Sequence, residues 1–115
     1  MNQHKRLIRS ILVSIDIEEV QRDRDALLDT HFSPEERTEL ATRHVRSTAG
    51  RLALKRAVLG LLSDRPILTE KDIVLKRLPN NPPLLVSVLD LPGNLFLSIS
   101  HTRNTAHGLA VLQEQ

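Results

Sequence analysis

The sequence predicts a single α+β domain spanning residues 1–115, with helices packed on one face of a mainly antiparallel sheet. A strand rich in β-branched residues comes first, and helical segments follow up to about residue 62. Four more strand-like runs then succeed one another with no helix between them. A chain of 115 residues, 40% of them hydrophobic, is long enough for one core but not for two.

The first element is a strand over about residues 10–17. Asp16 stands there between two isoleucines, as on the polar face of a half-buried strand, and Glu18 and Glu19 follow it. The pattern alone leaves two interpretations open. The carboxylates are solvent-facing charges, or they hold a metal ion against a phosphate.

Two helical segments are marked by their ends. In "FSPEE" we expect Ser33 to cap a helix, Pro34 to occupy its first position and Glu36 to close a capping box. A second helix over about 46–62 carries leucines, alanines and a valine on its apolar face. It ends before Pro66, which cannot continue a helix.

The C-terminal half reads as strands and turns. Runs at 72–78 and 84–89 predict a hairpin around the proline-rich turn 79–83. Two more strands are expected at 95–101 and 106–113, joined by the short turn "TRN".

Composition excludes several classes of protein. The chain has no cysteine, hence no disulfide, thiolate metal site or cysteine nucleophile, which fits a cytoplasmic location. Its apolar runs fall short of the roughly 18 residues of a membrane span, and the apolar part of the basic N-terminus is too short for a signal peptide.

Phe32 and Phe96 are the only aromatic residues, which argues against single-stranded nucleic-acid binding. We therefore expect neither nucleic acid nor membrane as a partner. The net charge of +2 indicates at most a local basic patch for an acidic partner or a phosphate-bearing ligand.

Three stretches resemble one family: "SIDIEEVQR", "TAGRLALKRAV" and "LFLSISHTRNTAHGLAVLQ". With "FSPEE" they are similar, in order and spacing, to the acyl-carrier-protein synthase type of 4'-phosphopantetheinyl transferase, over nearly the whole chain. The resemblance implies transfer of phosphopantetheine from coenzyme A to a serine of an acyl carrier protein, with release of 3',5'-ADP. It further implies a Mg²⁺ ion at the pyrophosphate and a homotrimer with active sites between protomers.

The resemblance also implies roles for individual residues. Asp16 matches the family's metal-binding aspartate, and Glu18 matches a metal-binding glutamate of the larger, two-lobed members. Three further sets are predicted from this match: catalytic Asp16 and Lys55, with Arg56 in place of a family residue; coenzyme A-binding Arg43, Arg46, Arg51, Lys55, Ser100 and His101; carrier-protein-binding Arg22 and Arg24. Each role has a non-functional alternative. The arginines could lie on solvated helix faces, since "RDRD" is typical of an exposed helix, and the histidine at 101 could be structural.

Two residues depart from the family pattern. Arg56 stands where the family has a metal-binding glutamate, and Gly60 stands where it has a second lysine. Two positive charges about 4 Å apart repel by about 4 kcal/mol at an effective dielectric of 20, so Arg56 in a metal site would weaken ion binding. Arg56 either neutralises the pyrophosphate in place of the metal or pairs with Asp16 in an inactive site.

Three functions remain open from the sequence. The first is an active phosphopantetheinyl transferase with a rearranged site. The second is a non-catalytic relative that binds coenzyme A or a carrier protein without transfer. The third, a small basic nucleic-acid-binding module, has only the pI of about 9.5 in its favour.

Overall fold

The α+β class is confirmed by the structure, a computed structural model that describes residues 7–65, 67–87 and 89–114. Within these residues, five strands and four α-helices are joined by short connections and one 3₁₀ turn. In chain order they are β1 (Ile8–Asp16), α1 (Ile17–Arg22), α2 (Arg24–His31), α3 (Pro34–Leu40), α4 (Val45–Leu61), the 3₁₀ turn (Glu70–Asp72), β2 (Leu75–Lys76), β3 (Leu84–Leu85), β4 (Gly93–His101) and β5 (Thr105–Glu114).

The long strands form one antiparallel sheet in the order β1-β5-β4. β5 lies in the centre, and its Gly108 is paired with Val13 on one side and Ile99 on the other. A Cβ atom at Gly108 would stand only 2.3 Å from the backbone nitrogen of Leu54 in α4. Glycine therefore lets the backbones of helix and sheet meet directly, with no side chain between them.

Helix α4 lies across the inner face of this sheet and is buried along most of its length. The core on both sides of it is aliphatic apart from Phe32, in agreement with the composition. The outer face of the sheet, by contrast, leaves Leu12, Phe96 and Leu109 exposed. No helix in the part of the chain that the structure describes is long and apolar enough to cross a membrane.

The predicted start of α3 is confirmed in detail. The Ser33 hydroxyl accepts a hydrogen bond from the backbone N–H of Glu36 (3.3 Å), and the Glu36 carboxylate accepts one from the N–H of Ser33 (3.0 Å). This reciprocal pair satisfies two helix-end donors. The expected helix over 46–62 is confirmed as α4 to within a residue at each end.

The hairpin predicted at 72–78 and 84–89 is much shorter than expected. Only β2 and β3 pair, two residues each, as a separate sheet, and residue 88 lies outside the described residues. Asp72 belongs instead to the 3₁₀ turn, where its carboxylate accepts a hydrogen bond from the N–H of Thr69 at 2.8 Å. Prolines on the β3 side also remove donors that a longer ladder needs.

Candidate active site

Asp16 lies where β1 ends and α1 begins, and it caps that helix. Its Oδ1 accepts a hydrogen bond from the backbone N–H of Glu18 at 2.9 Å. Both side chains are exposed and line one open pocket of ≈ 550 Å³. We call this the Asp16 pocket; across it stand Arg103, His44 and Arg46. Two carboxylates thus face basic side chains across a space large enough for part of a nucleotide.

A second, smaller pocket of ≈ 120 Å³ adjoins the N-terminal end of α4. No carboxylate is among its lining residues, and four arginines are. We call it the basic pocket; it is lined by Arg43, His44, Arg46, Ser47, Arg51, Arg77, Ile99 and His101. The first turn of α4 also carries no acidic residue, so the positive end of the helix dipole adds to these charges.

His44 and Arg46 line both pockets, so the two pockets adjoin each other and share these side chains as a common wall. His44 caps α4, since its Nδ1 accepts a hydrogen bond from the backbone N–H of Arg46 at 3.1 Å. A neutral ring that accepts at Nδ1 carries its proton on Nε2, leaving that nitrogen able to donate to a ligand. Of the six predicted coenzyme A-binding residues, the structure brings four together in the basic pocket: Arg43, Arg46, Arg51 and His101.

Lys55 is placed differently, with its side chain fully buried. Its Nζ lies 2.6 Å from Glu36 Oε1, 2.8 Å from the carbonyl oxygen of His31 and 4.4 Å from the centre of the Phe32 ring. Burial lowers the pKa of Lys55, while the hydrogen bond and charge of Glu36 oppose that shift. These contacts join α4 to α2, to α3 and to Phe32 between them, and Lys55 lines neither pocket.

Arg51 is also buried but reaches the basic pocket. Its guanidinium donates to the carbonyl oxygen of Leu75 at 3.0 Å and forms an ion pair with Glu39. The buried carboxylate of Glu36 holds the same strand from the other side, accepting from the N–H of Leu75 at 3.1 Å. Arg51 therefore fixes β2 against α4 as well as lining the pocket.

Arg56 meets Glu70 of the 3₁₀ turn and does not line the Asp16 pocket. Its Nε lies 3.5 Å from Glu70 Oε1, and His31 Nδ1 lies 3.4 Å from the other oxygen of the same carboxylate. Desolvation alone would raise the pKa of Glu70, but its own backbone N–H, His31 and Arg56 outweigh it and hold that pKa below its usual value. Arg56 is ten residues beyond Arg46, or about 15 Å along the helix axis. The structure brings it together with neither Asp16 nor the basic pocket.

Gly60, the second departure from the family pattern, lies still further along α4. A Cβ atom there would stand 2.5 Å from Cδ1 of Ile11, on the inner face of β1. Ile11 precedes Asp16 by five residues, roughly 17 Å along an extended strand. Within the chain, the position of this glycine is therefore remote from the Asp16 and Glu18 carboxylates.

Three other predicted residues lie outside both pockets. Ser100 is on the outer face of the sheet, opposite His107 in the register. Arg24 donates to the carbonyl oxygens of Leu40 and Arg43, at 2.8 and 2.7 Å, and so binds the end of α3. Arg22 is exposed at the end of α1.

The metal site can be tested against the donors that are present. Among residues 7–65, 67–87 and 89–114 there is no cluster of three or more histidine, aspartate or glutamate side chains able to hold an ion. Asp16 and Glu18 supply two hard oxygen donors at one pocket. Since Mg²⁺ in proteins is commonly held by one or two carboxylates plus substrate phosphates and water, this pair fits Mg²⁺ only together with a phosphate-bearing ligand.

Comparison with known proteins is informative at the level of structure. The sequence matches no protein-family model and no curated protein. Among solved structures, a holo-(acyl-carrier-protein) synthase from Bacillus anthracis in complex with CoA (3',5'-ADP) superposes with a TM-score of 0.81, at 18% identity over 96% of this chain and 100% of that one. The ACPS–CoA complex of Chronobacterium ammoniagenes gives 0.79, at 20% identity over 95% and 98% of the two chains. The acyl carrier protein synthase of Mycobacterium tuberculosis gives 0.71, at 22% identity over 92% and 96%.

The chain has the holo-(acyl-carrier-protein) synthase fold. The resemblance inferred from the three sequence stretches is thereby confirmed for the architecture, over almost the full length of both chains. At identities of 18–22%, the likeness to the synthases does not extend to the chemistry, which has to be argued from the residues.

Sequence reasoning missed two polar residues of the basic pocket, Ser47 and Arg77, and the apolar Ile99. Ser47 lies in the first turn of α4 and adds a hydroxyl to the pocket wall. Arg77 comes from the segment after β2, which is distant in sequence from the rest. Strand alternation gave a signal for Arg77. If Leu75 faces inward, Arg77, two residues further on, is directed to the same side.

Proposed function

We propose that the chain is a holo-(acyl-carrier-protein) synthase-like transferase, which moves 4'-phosphopantetheine from coenzyme A to a serine of an acyl carrier protein. One observation carries the proposal. On this fold, a pocket with two carboxylates adjoins a pocket with four arginines, and the two share His44 and Arg46. Coenzyme A needs such a division, because its pyrophosphate and its 3'-phosphate are separate anionic groups.

In the proposed reaction, the carrier-protein serine attacks the β-phosphorus of the pyrophosphate. A bond forms between the serine oxygen and phosphorus, the bridging P–O bond breaks, and 3',5'-ADP leaves with the electron pair. The serine proton passes to a carboxylate of the Asp16 pocket or to a water that it holds. Arg43, Arg46 and His101 bind the leaving nucleotide, and the Nε2–H of His44 donates to a phosphate oxygen.

Asp16 and Glu18 are the residues that would hold Mg²⁺ in this proposal. When bound, the ion offsets negative charge on the pyrophosphate. Asp16 has a second function that needs no metal, since it caps α1. Arg22 provides a positive charge near this pocket for an acidic carrier-protein surface.

We further propose that the active form is a homotrimer, as the resemblance implies. The support is the outer face of the sheet, where Leu12 is 62% and Phe96 55% exposed. Leu12 lies opposite Leu109 in the register, and Phe96 opposite Val111, so these apolar side chains form a continuous patch across all three strands. A patch of this kind is typical of a surface that another subunit covers.

A second function, binding of coenzyme A without transfer, is favoured by a different observation. Arg56 replaces the third carboxylate of the family and is ion-paired with Glu70, and Lys55 is enclosed by Glu36 and His31. In this reading the basic pocket still binds the nucleotide, but the donors around the pyrophosphate are too few for turnover.

Intact-mass spectrometry separates the two functions. Apo acyl carrier protein is incubated with this protein and Mg²⁺, with and without coenzyme A. A gain of the phosphopantetheine mass that requires coenzyme A establishes the transferase. No gain with several carrier proteins, while coenzyme A still binds by calorimetry, establishes the non-catalytic relative. No binding of coenzyme A contradicts both, and light scattering on the same sample tests the trimer.

The Asp16→Asn variant tests whether Asp16 holds Mg²⁺. Asparagine caps helices about as well as aspartate, so the stability of α1 should be nearly unchanged. The loss of charge should remove most of the increase in coenzyme A affinity that Mg²⁺ produces. If Mg²⁺ raises affinity equally in the variant and the wild type, Asp16 does not hold the ion.

A further inference from the structure

Arg77 stands at the end of the most firmly anchored segment of the hairpin. Leu75, two residues earlier in β2, is held by Arg51 at its carbonyl oxygen and by Glu36 at its N–H. Both of these holding groups are buried. The backbone two residues before Arg77 is therefore fixed against α3 and α4, which limits where the guanidinium can go.

The neighbouring Lys76 is directed to the opposite side. It lines a separate pocket beneath α3 together with Glu35, Glu36 and Glu39, whereas Arg77 lines the basic pocket. This alternation is that of an extended strand. Two adjacent cations of the same segment thus face surroundings of opposite charge.

Arg77 has no acidic partner among the residues that the structure describes, and it forms no hydrogen bond with them. The same is true of the side chains of Arg43 and Arg46 across the pocket, while Arg51 is already paired with Glu39. Three arginines with no acidic partner in the described part of the chain therefore line one small pocket. Their mutual repulsion is relieved when an anion enters.

The size of the basic pocket limits what that anion is. Pockets for drug-sized ligands measure about 300–1,000 Å³, and this one measures ≈ 120 Å³. It suits a single phosphate group, with the remainder of the ligand in the larger Asp16 pocket on the other side of His44 and Arg46. A terminal phosphomonoester carries close to two negative charges at neutral pH, more than a diester.

We propose that Arg77 is a specificity-determining residue that selects ligands with a terminal phosphomonoester. It would bind the 3'-phosphate of coenzyme A from the side opposite Arg43 and Arg46, so that dephospho-coenzyme A is discriminated against. This inference rests on the proposed function, since it assumes that a coenzyme A nucleotide enters the two pockets. The planar fork of an arginine suits a phosphate, whose oxygens accept two parallel hydrogen bonds.

The test compares coenzyme A and dephospho-coenzyme A on the wild type and on Arg77→Gln, by competition at ligand concentrations high enough to measure weak binding. Losing a charge-assisted hydrogen bond should weaken coenzyme A binding by about 10- to 100-fold. Dephospho-coenzyme A binding should stay the same. Arg77→Lys, which keeps the charge but not the fork, should give a smaller loss. Lys76→Gln is the matched control and should alter neither affinity.

The contradicting outcomes are distinct. If Arg77→Gln weakens both ligands equally, or neither, while wild-type binding is intact, Arg77 does not select the phosphomonoester and the proposed function still stands. If the wild type binds neither ligand, the inference falls together with the proposed function. Circular dichroism of each variant establishes that a loss of binding is not a loss of fold.

Discussion

The two halves of the α4 region use the same kind of residue in opposite ways. At its start, arginines line a pocket that has no carboxylate in its wall. Further along the helix, each cation is paired with a glutamate from another element: Arg51 with Glu39, Lys55 with Glu36, Arg56 with Glu70. The unpaired arginines can bind an anion from outside, whereas the paired cations bind helices α2 and α3 and the 3₁₀ turn to α4. Arg51 stands at the boundary, since it is paired with Glu39 and also lines the pocket. A cation's function here is decided by the acid that reaches it, and that acid comes from a distant part of the chain.

The largest effect is expected at Lys55, where the ion pair is completely buried. Replacing it with methionine keeps an unbranched side chain that is one atom shorter, but leaves the Glu36 carboxylate buried without its counter-charge. The free energy of unfolding should fall by about 3–5 kcal/mol in urea denaturation. Lys71→Met, on the exposed 3₁₀ turn, is the control and should change it by less than about 0.5 kcal/mol.

The same variant yields a pH dependence with a defined sign. Burial lowers the pKa of Lys55 in the native state below 10.5, the usual value for a lysine and the one expected in the unfolded chain. Between these two values the unfolded chain binds more protons than the native one, so Lys55 adds stability as the pH rises. The difference in unfolding free energy between wild type and Lys55→Met should therefore increase as the pH approaches 10.5. A difference that shrinks over this range would mean that Lys55 is not desolvated as described.

The next effect concerns the unpaired end of the helix. Arg46 lines both pockets, so Arg46→Gln should weaken coenzyme A binding by about 10- to 100-fold in calorimetry. Because the side chain is exposed and has no acidic partner in the described residues, stability should be nearly unchanged. Arg56→Gln, on the same helix, should leave the affinity as it is. Equal losses in the two variants would abolish the distinction between the two halves.

The smallest effect is expected from Arg56→Gln on stability. The side chain is 41% exposed in its pair with Glu70, and such pairs contribute about 1 kcal/mol or less. Removing the positive charge should nevertheless raise the pKa of Glu70 toward its usual value of 4.5, which NMR titration measures directly. An unchanged pKa would show that Arg56 does not act on that carboxylate in solution.

Local signals in the sequence predicted most of the fold. The capping box at Ser33 and Glu36 needs only neighbouring residues, and so does the strand that ends at Asp16. The predicted length of the hairpin was wrong. Its position is set by contacts of Leu75 with α3 and α4 and not by the local strand pattern. Such contacts span 24 and 39 residues and leave no local pattern.

The site was predictable only in part, for the same reason. The resemblance pointed to Arg43, Arg46 and His101, which the structure places together in one pocket. The position of Arg56 was visible in the sequence, but its partner Glu70 was not, since an ion pair formed across a loop has no fixed spacing. Arg77 was missed because strand alternation gives only the side of the chain to which it is directed, and the pocket that it meets there is built from distant residues.

The meeting of β5 and α4 at Gly108 has a consequence for how this sequence can change in the course of evolution. At Gly60, an added Cβ would meet the tip of the Ile11 side chain, and a second substitution at Ile11 could make room for it. At Gly108 the nearest atoms are backbone atoms of Leu54 and Ala53, which no exchange of side chains can remove. Homologues should therefore drift in pairs at the first position and remain glycine at the second, however far the pocket residues diverge.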